Sequence, residues 1–129
     1  MTSRQNPNNF RLKPYQPKED QEQIVVATWL TRNNIIFYHI PNGGRRNFLE
    51  GLKFKRMGVK AGIPDICIPV ARKGFHGAYG ELKRLVGGRV SEQQEWWLAE
   101  LKRQGYYVFI GHGADEFIQH VKNYMEVPK

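Results

Sequence analysis

Gly62-Ile63-Pro64-Asp65-Ile66-Cys67-Ile68-Pro69-Val70, followed after a short link by Gly77-Ala78-Tyr79-Gly80-Glu81-Leu82-Lys83-Arg84, is the stretch that decides how this chain folds. The first segment is β-branched and proline-bounded, so it reads as a strand over residues 65–70, ended by Pro69 or by the Arg72-Lys73-Gly74 turn. The second, residues 77–84, reads as its hairpin partner. Side chains two apart share a face of a pleated strand. Asp65 therefore points away from Ile66 and Ile68, while Tyr79, Glu81 and Lys83 share the face opposite Ala78, Gly80 and Leu82. Once the strands pair, Asp65 and Glu81 converge, and their carboxylates repel unless a hard cation lies between them. Mg²⁺ is the economical resolution. Read alone, Glu81 and Lys83 also make an ordinary strand-face ion pair worth under about 1 kcal/mol.

Working outward toward the N-terminus, Asp20 and Gln23 have capping-box-like spacing, and Ile24, Ala27, Trp29 and Leu30 supply an apolar side, which predicts a helix over 20–32. Glu22 shares a side of that helix with Val25, Val26 and Trp29, so it heads an apolar stripe and needs a partner; a metal at the sheet edge would be one. Residues 35–39 read as a strand and residues 47–57 as a short helix stopped by Gly58. Toward the C-terminus, Ser91 and Gln94 open a helix over 91–104 carrying Trp97, Leu98 and Leu101 inward. A strand over 106–110 and an amphipathic helix over 113–125, with Phe117, Ile118, Val121 and Tyr124 on one side, complete the chain. The order predicts an α/β fold: a small mixed sheet flanked by helices.

At 129 residues the chain affords one core, expected over 19–129. The first 18 residues, with three prolines and four basic residues, read as a flexible basic arm. The single cysteine, Cys67, excludes an internal disulfide and a cysteine-rich zinc site. No apolar run approaches the ~20 residues of a membrane span, and no secretory h-region follows the first charges, so a soluble cytoplasmic protein is expected. The formal charge of +8 predicts a polyanionic partner, nucleic acid ahead of membrane. That charge is concentrated: residues 42–60 carry six basic residues against Glu50 alone. Asn42, Gly43, Gly44, Arg45, Arg46, Lys53, Lys55, Arg56 and Lys60 are the candidate DNA contacts. Gly43-Gly44 fits a phosphate-binding nest and an ordinary turn equally well. His39, His76, His112 and His120 lack zinc-helix spacing and read as structural or surface residues, although His39 could still reach phosphate from its strand end.

Three carboxylates, a lysine and a basic surface are what metal-assisted phosphodiester hydrolysis requires. Lys83 would offset charge on the phosphate or hold the attacking water, and Gln94 could position the attacker, although Ser91-x-x-Gln94 is equally a capping box. Pro64-Asp65 followed by Glu81-Leu82-Lys83 resembles the PD-(D/E)XK nuclease motif. More specifically, His39-Ile40-Pro41-Asn42-Gly43-Gly44, the run from Lys55 to Asp65, Gly80-Glu81-Leu82-Lys83 and Gly88-Arg89-Val90-Ser91 with Gln94 and Trp97 resemble the virus-type replication-repair nuclease domain, VRR-NUC. The resemblance spans about residues 20–125. It implies a restriction-endonuclease-like αβββαβ core, Mg²⁺ or Mn²⁺ as cofactor, and Glu22, Asp65, Glu81 and the Leu82 backbone carbonyl as ligands. It further implies Lys83 as the catalytic lysine with Gln94 beside it. Glu92 stands where many relatives have proline, which touches no catalytic position.

The expected activity is then endonucleolytic cleavage of structured DNA. Because one site cuts one strand, a two-fold homodimer acting on a four-way (Holliday) junction is the leading form. A noncatalytic DNA-binding module on the same fold is the alternative, weakened by the three retained, mutually repelling carboxylates. A phage-encoded binder of a host protein is a third and weaker possibility.

Overall fold

A computed structural model describes residues 19–41 and 48–126. The expected arm over 1–18, and Asn42, Gly43, Gly44, Arg45 and Arg46, lie outside the described residues. Eight elements follow in the order α1 (Glu19–Arg32), β1 (Tyr38–His39), α2 (Phe48–Arg56), β2 (Ile66–Ile68), β3 (Ala78–Lys83), α3 (Glu92–Arg103), β4 (Tyr107–His112) and α4 (Gly113–Met125). The four strands form one mixed sheet in the order β1-β2-β3-β4, antiparallel across the first two pairs and parallel between β3 and β4.

The strands are shorter than their β-branched stretches suggest. Pro69 has no N–H to continue the ladder, so β2 ends at Ile68, and Val70 turns back to donate to the Ile68 carbonyl. With so short a partner, β1 pairs only through Tyr38↔Cys67 and His39↔Ile66, and residues 35–37 descend from the end of α1 as a connector. The hairpin link closes at Lys73 and Gly74, both at positive φ, as a two-residue primed turn requires. β4 runs on to His112, beyond the expected 110, because its parallel partner β3 extends to Lys83.

One face of the sheet is covered by α1 and α4. Val26 and Leu30 of α1 and Phe117, Val121 and Tyr124 of α4 close over Ile66, Ile68, Ala78, Leu82 and Phe109. Full burial of such a side chain contributes roughly 1.5–3 kcal/mol. Gly80 belongs to this face, and a Cβ there would come within 2.5 Å of the Phe109 and Phe117 rings, so glycine is required by close approach. The buried stripe of α1 is Glu22-Val26-Leu30, which corrects the expected one: Ile24 is 64% and Val25 51% exposed. The opposite face is covered by α3, in which no residue is fully buried. Trp97, Leu98 and Leu101 are half-buried there, while Trp96 is exposed. This thinner face carries the polar alternates of β3. No helix among the described residues is long and apolar enough to cross a membrane.

Candidate active site

Asp65 is set at the mouth of β2 by its backbone. Its carbonyl accepts from the Ile40 N–H at 2.7 Å and lies 2.9 Å from His39 Nδ1. A carbonyl only accepts, so Nδ1 carries the proton in that contact. The segment leading in depends on Gly62, at φ +90°, where a Cβ would lie 2.7 Å from the backbone of Gln93. That close approach brings Asp65 beside the start of α3. On the next strand the Leu82 N–H donates to Asp65 Oδ2 at 2.7 Å, fixing the carboxylate across the β2–β3 ladder. Leu82 itself turns its side chain into the core.

Glu81 is 3% exposed. Its two oxygens are in different circumstances. Oε1 accepts from Gln94 Nε2 at 2.8 Å and lies 3.5 Å from Lys83 Nζ. Oε2 is buried with no hydrogen-bond partner. Burial, reinforced by the negative charge of Asp65, pushes the Glu81 carboxyl up to about 8, with Lys83 opposing. Burial also raises Asp65, offset by the Leu82 N–H, by a hydrogen bond with the Glu81 carboxyl when that group holds its proton, and by the charges of His39 and Lys83. Both carboxyls are held above their ordinary range, and with both ionised the Glu81 Oε2 has no donor from the protein.

Gln94 resolves what spacing left open. Its Oε1 accepts from the Ser91 N–H at 2.9 Å while the Ser91 hydroxyl accepts from the Gln94 N–H, completing the capping box of α3. The same side chain spends its Nε2 on Glu81. An amide has a donor end and an acceptor end, so both readings hold together.

Thus Asp65, Glu81, Lys83 and Gln94 are gathered at one end of the sheet. Glu22 lies where α1 meets α4: its Oε2 accepts from the Ala114 N–H in the first turn of α4. Among the described residues no cluster of three or more His, Cys, Asp or Glu side chains could enclose a metal ion. Asp65 and Glu81 are the two carboxylates that the β2–β3 ladder brings together. Two hard carboxylates still fit Mg²⁺, which characteristically takes one or two carboxylates and completes its shell with waters and substrate phosphates. The orphaned Glu81 Oε2 is the atom that such an ion would satisfy.

Lys53, Lys55, Arg56 and Lys60 are exposed, and the last turn of α2 is basic. His39, expected to be able to reach phosphate from its strand end, lies instead against the Asp65 backbone carbonyl. The available signal was its place at a strand end, but which strand β1 pairs with, and hence its contact with Asp65, is a long-range fact.

A mixed sheet with a Pro-Asp at one strand mouth and Glu-x-Lys on the next, bound to a helix-borne Gln, defines a nuclease-type DNA-processing domain. Comparison with protein families matches residues 17–115 to the VRR-NUC domain, and the chain belongs to that family. A solved structure described as a VRR_NUC domain protein is similar at 32% identity, with 88% of this chain and 91% of that chain covered and a TM-score of 0.75. No curated protein matches. The family is generally one of divalent-metal nucleases, with DNA as its substrate.

Proposed function

We propose that the protein is a Mg²⁺- or Mn²⁺-dependent endodeoxyribonuclease that hydrolyses phosphodiester bonds in structured DNA, acting as a homodimer on branched substrates such as four-way junctions. The observation that carries the reading is the buried, unpartnered Oε2 of Glu81 beside Asp65. Asp65, Glu81 and the Leu82 carbonyl would hold the cation. Bound there, it supplies Lewis-acid polarisation of the phosphoryl group and activation of water near neutral pH.

The chain's own groups do the remaining work. Gln94 and Lys83 both engage Oε1 of Glu81, so Oε2 is the oxygen that would be free to hold a cation. Lys83 brings a fixed positive charge to the place where negative charge develops on the phosphoryl oxygens. The Leu82 N–H keeps Asp65 from rotating away when the cation is absent. Glu22 serves as a positioning residue, tying α1 to the start of α4. Lys53, Lys55, Arg56 and Lys60, with Asn42, Gly43, Gly44, Arg45 and Arg46, would carry the DNA backbone toward it.

The test is incubation of labelled linear duplex, flap and four-way-junction DNA with the protein and Mg²⁺, alongside EDTA and Lys83→Ala controls. Metal-dependent products that vanish with Lys83→Ala, strongest on the junction and from a dimer by sedimentation, are expected. Tight, salt-sensitive binding without products in any lane would overturn the enzyme reading in favour of a noncatalytic binding module.

A further inference from the structure

On the other side of the first turn of α3 lies a second concavity. It is lined by Gly51 and Lys55 of α2, Val59 and Lys60 of the following loop, and Gln93 and Trp97 of α3, and its volume is about 440 Å³. That is within the roughly 300–1,000 Å³ of small-ligand clefts. Gln93 connects it to the catalytic groups in both directions. The neighbouring Gln94 bonds Glu81, and the Gln93 backbone packs on Gly62, three residues before Asp65.

The lining combines an aromatic side chain, an apolar wall and two ammonium groups, with no carboxylate among them. Neither Lys55 nor Lys60 has an ion-pair partner among the described residues. An anionic ligand with a flat apolar part satisfies all three features. A nucleotide is such a ligand: its base can stack on an indole and its phosphate can meet lysine. A base inside a duplex is covered on both faces by its neighbours, so only an unpaired one is free to stack here.

We infer that this groove binds one unpaired nucleotide of the DNA strand that runs through the adjacent site, as where strands part at a branch point, so that an unpaired base next to the cleavage position strengthens binding. The inference rests on the reading of the chain as a DNA nuclease and names the substrate feature that its surface recognises.

Binding is measured by fluorescence anisotropy in EDTA, so that no turnover intervenes. The probes are a blunt duplex, the same duplex with a short unpaired tail of either polarity, and the tailed duplexes with abasic residues in the tail. The abasic probe keeps the phosphates and removes the bases. The intact tail of one polarity is expected to bind about tenfold more tightly than its abasic counterpart, the scale of one base–aromatic stack. Gly51→Leu fills the groove from a helical position whose Cβ meets nothing within 4 Å, and Trp97→Leu removes the aromatic ring while keeping an apolar side chain. Both should erase the difference between intact and abasic tails. Equal affinity of the wild-type protein for the two kinds of tail overturns the inference, as does a difference that survives Gly51→Leu. Cleavage with Mg²⁺ is scored separately: base-dependent binding without products sinks the nuclease reading alone, and products without base dependence sink the groove alone.

Discussion

Gln94 Nε2 stands 2.8 Å from Glu81 Oε1, so the first turn of α3 is tied directly to the acidic residue of β3. Because the other end of that amide closes the capping box with Ser91, helix initiation and carboxylate orientation share one side chain. The two functions separate in mutants. Ser91→Ala loses the cap and should cost about 1 kcal/mol of stability while leaving cleavage within a few-fold of wild type. Gln94→Ala loses the cap bond and a hydrogen bond to a buried carboxylate, about 1.5–3 kcal/mol together. It should also slow cleavage by roughly 10- to 100-fold, since removal of a single positioning donor at a charged site has effects up to that order. Thermal denaturation paired with single-turnover kinetics reads both, and equal activity losses in the two variants would refute the division of labour.

The metal-free acidic pair predicts an inverted pH dependence of stability. Glu81 has a folded-state value of about 8 against an ordinary 4.5, so between those values the folded state holds a proton that the unfolded chain has released. Stability then falls as pH rises through that window, is fully present below it and levels off above it. Glu81→Gln should flatten the slope and raise the melting temperature near pH 8. A saturating divalent cation should reverse the trend, adding about 2.7 kcal/mol at a hundred times its dissociation constant. Urea denaturation across pH 5–9 in EDTA, repeated with Mn²⁺, makes the measurement; an EDTA series that rises with pH would contradict it.

The convergence of Asp65 with Glu81 was legible because the sequence of β3 sets Ala78, Gly80 and Leu82 on one face and Tyr79, Glu81 and Lys83 on the other, and the buried first set leaves only one register. The helix stripe of α1 was less legible: apolar residues occur at 24, 25, 26, 27, 29 and 30, so several faces satisfy the same period, and contact with α4 selects the one with Val26 and Leu30. Strand β1 was overestimated because β propensity describes residues 35–39 without knowing that β2 offers them so short a partner. The destination of Glu22 depends on a backbone N–H 92 residues away in the chain, which no local spacing encodes.

That destination yields a prediction about the cation. A carboxylate accepting from the Ala114 N–H in the first turn of α4 is favourably placed against the helix dipole, and breaking it leaves a buried donor unpaired. Glu22→Ala should therefore destabilise the protein by about 1–3 kcal/mol. Glu22→Gln keeps an acceptor oxygen, so it should recover most of that loss and bind Mn²⁺ within a few-fold of wild type. Asp65→Asn should abolish Mn²⁺ binding in the same calorimetric titration. If Glu22→Gln instead abolished binding while retaining the fold, Glu22 would be a cation ligand, and the acidic core would be three residues rather than two.

The exposed cations of α2 and the loop after it make the final prediction, because phosphate contacts leave a signature that packing roles do not. Each phosphate neutralised on duplex DNA releases counterion, and the slope of log affinity against log salt changes by about 0.9 per contact. Lys53, Lys55 and Lys60 are exposed and outside any ion pair among the described residues, so replacing them should leave the fold intact. Lys53→Ala, Lys55→Ala and Lys60→Ala should each lower the slope by about one unit and weaken binding uniformly across DNA sequences. Lys102, exposed on α3 beyond Trp97, supplies the control: Lys102→Ala should change neither quantity. Filter binding across a salt series distinguishes the cases. An unchanged slope in the triple lysine variant would show that the positive charge between α2 and β2 does not touch the DNA backbone.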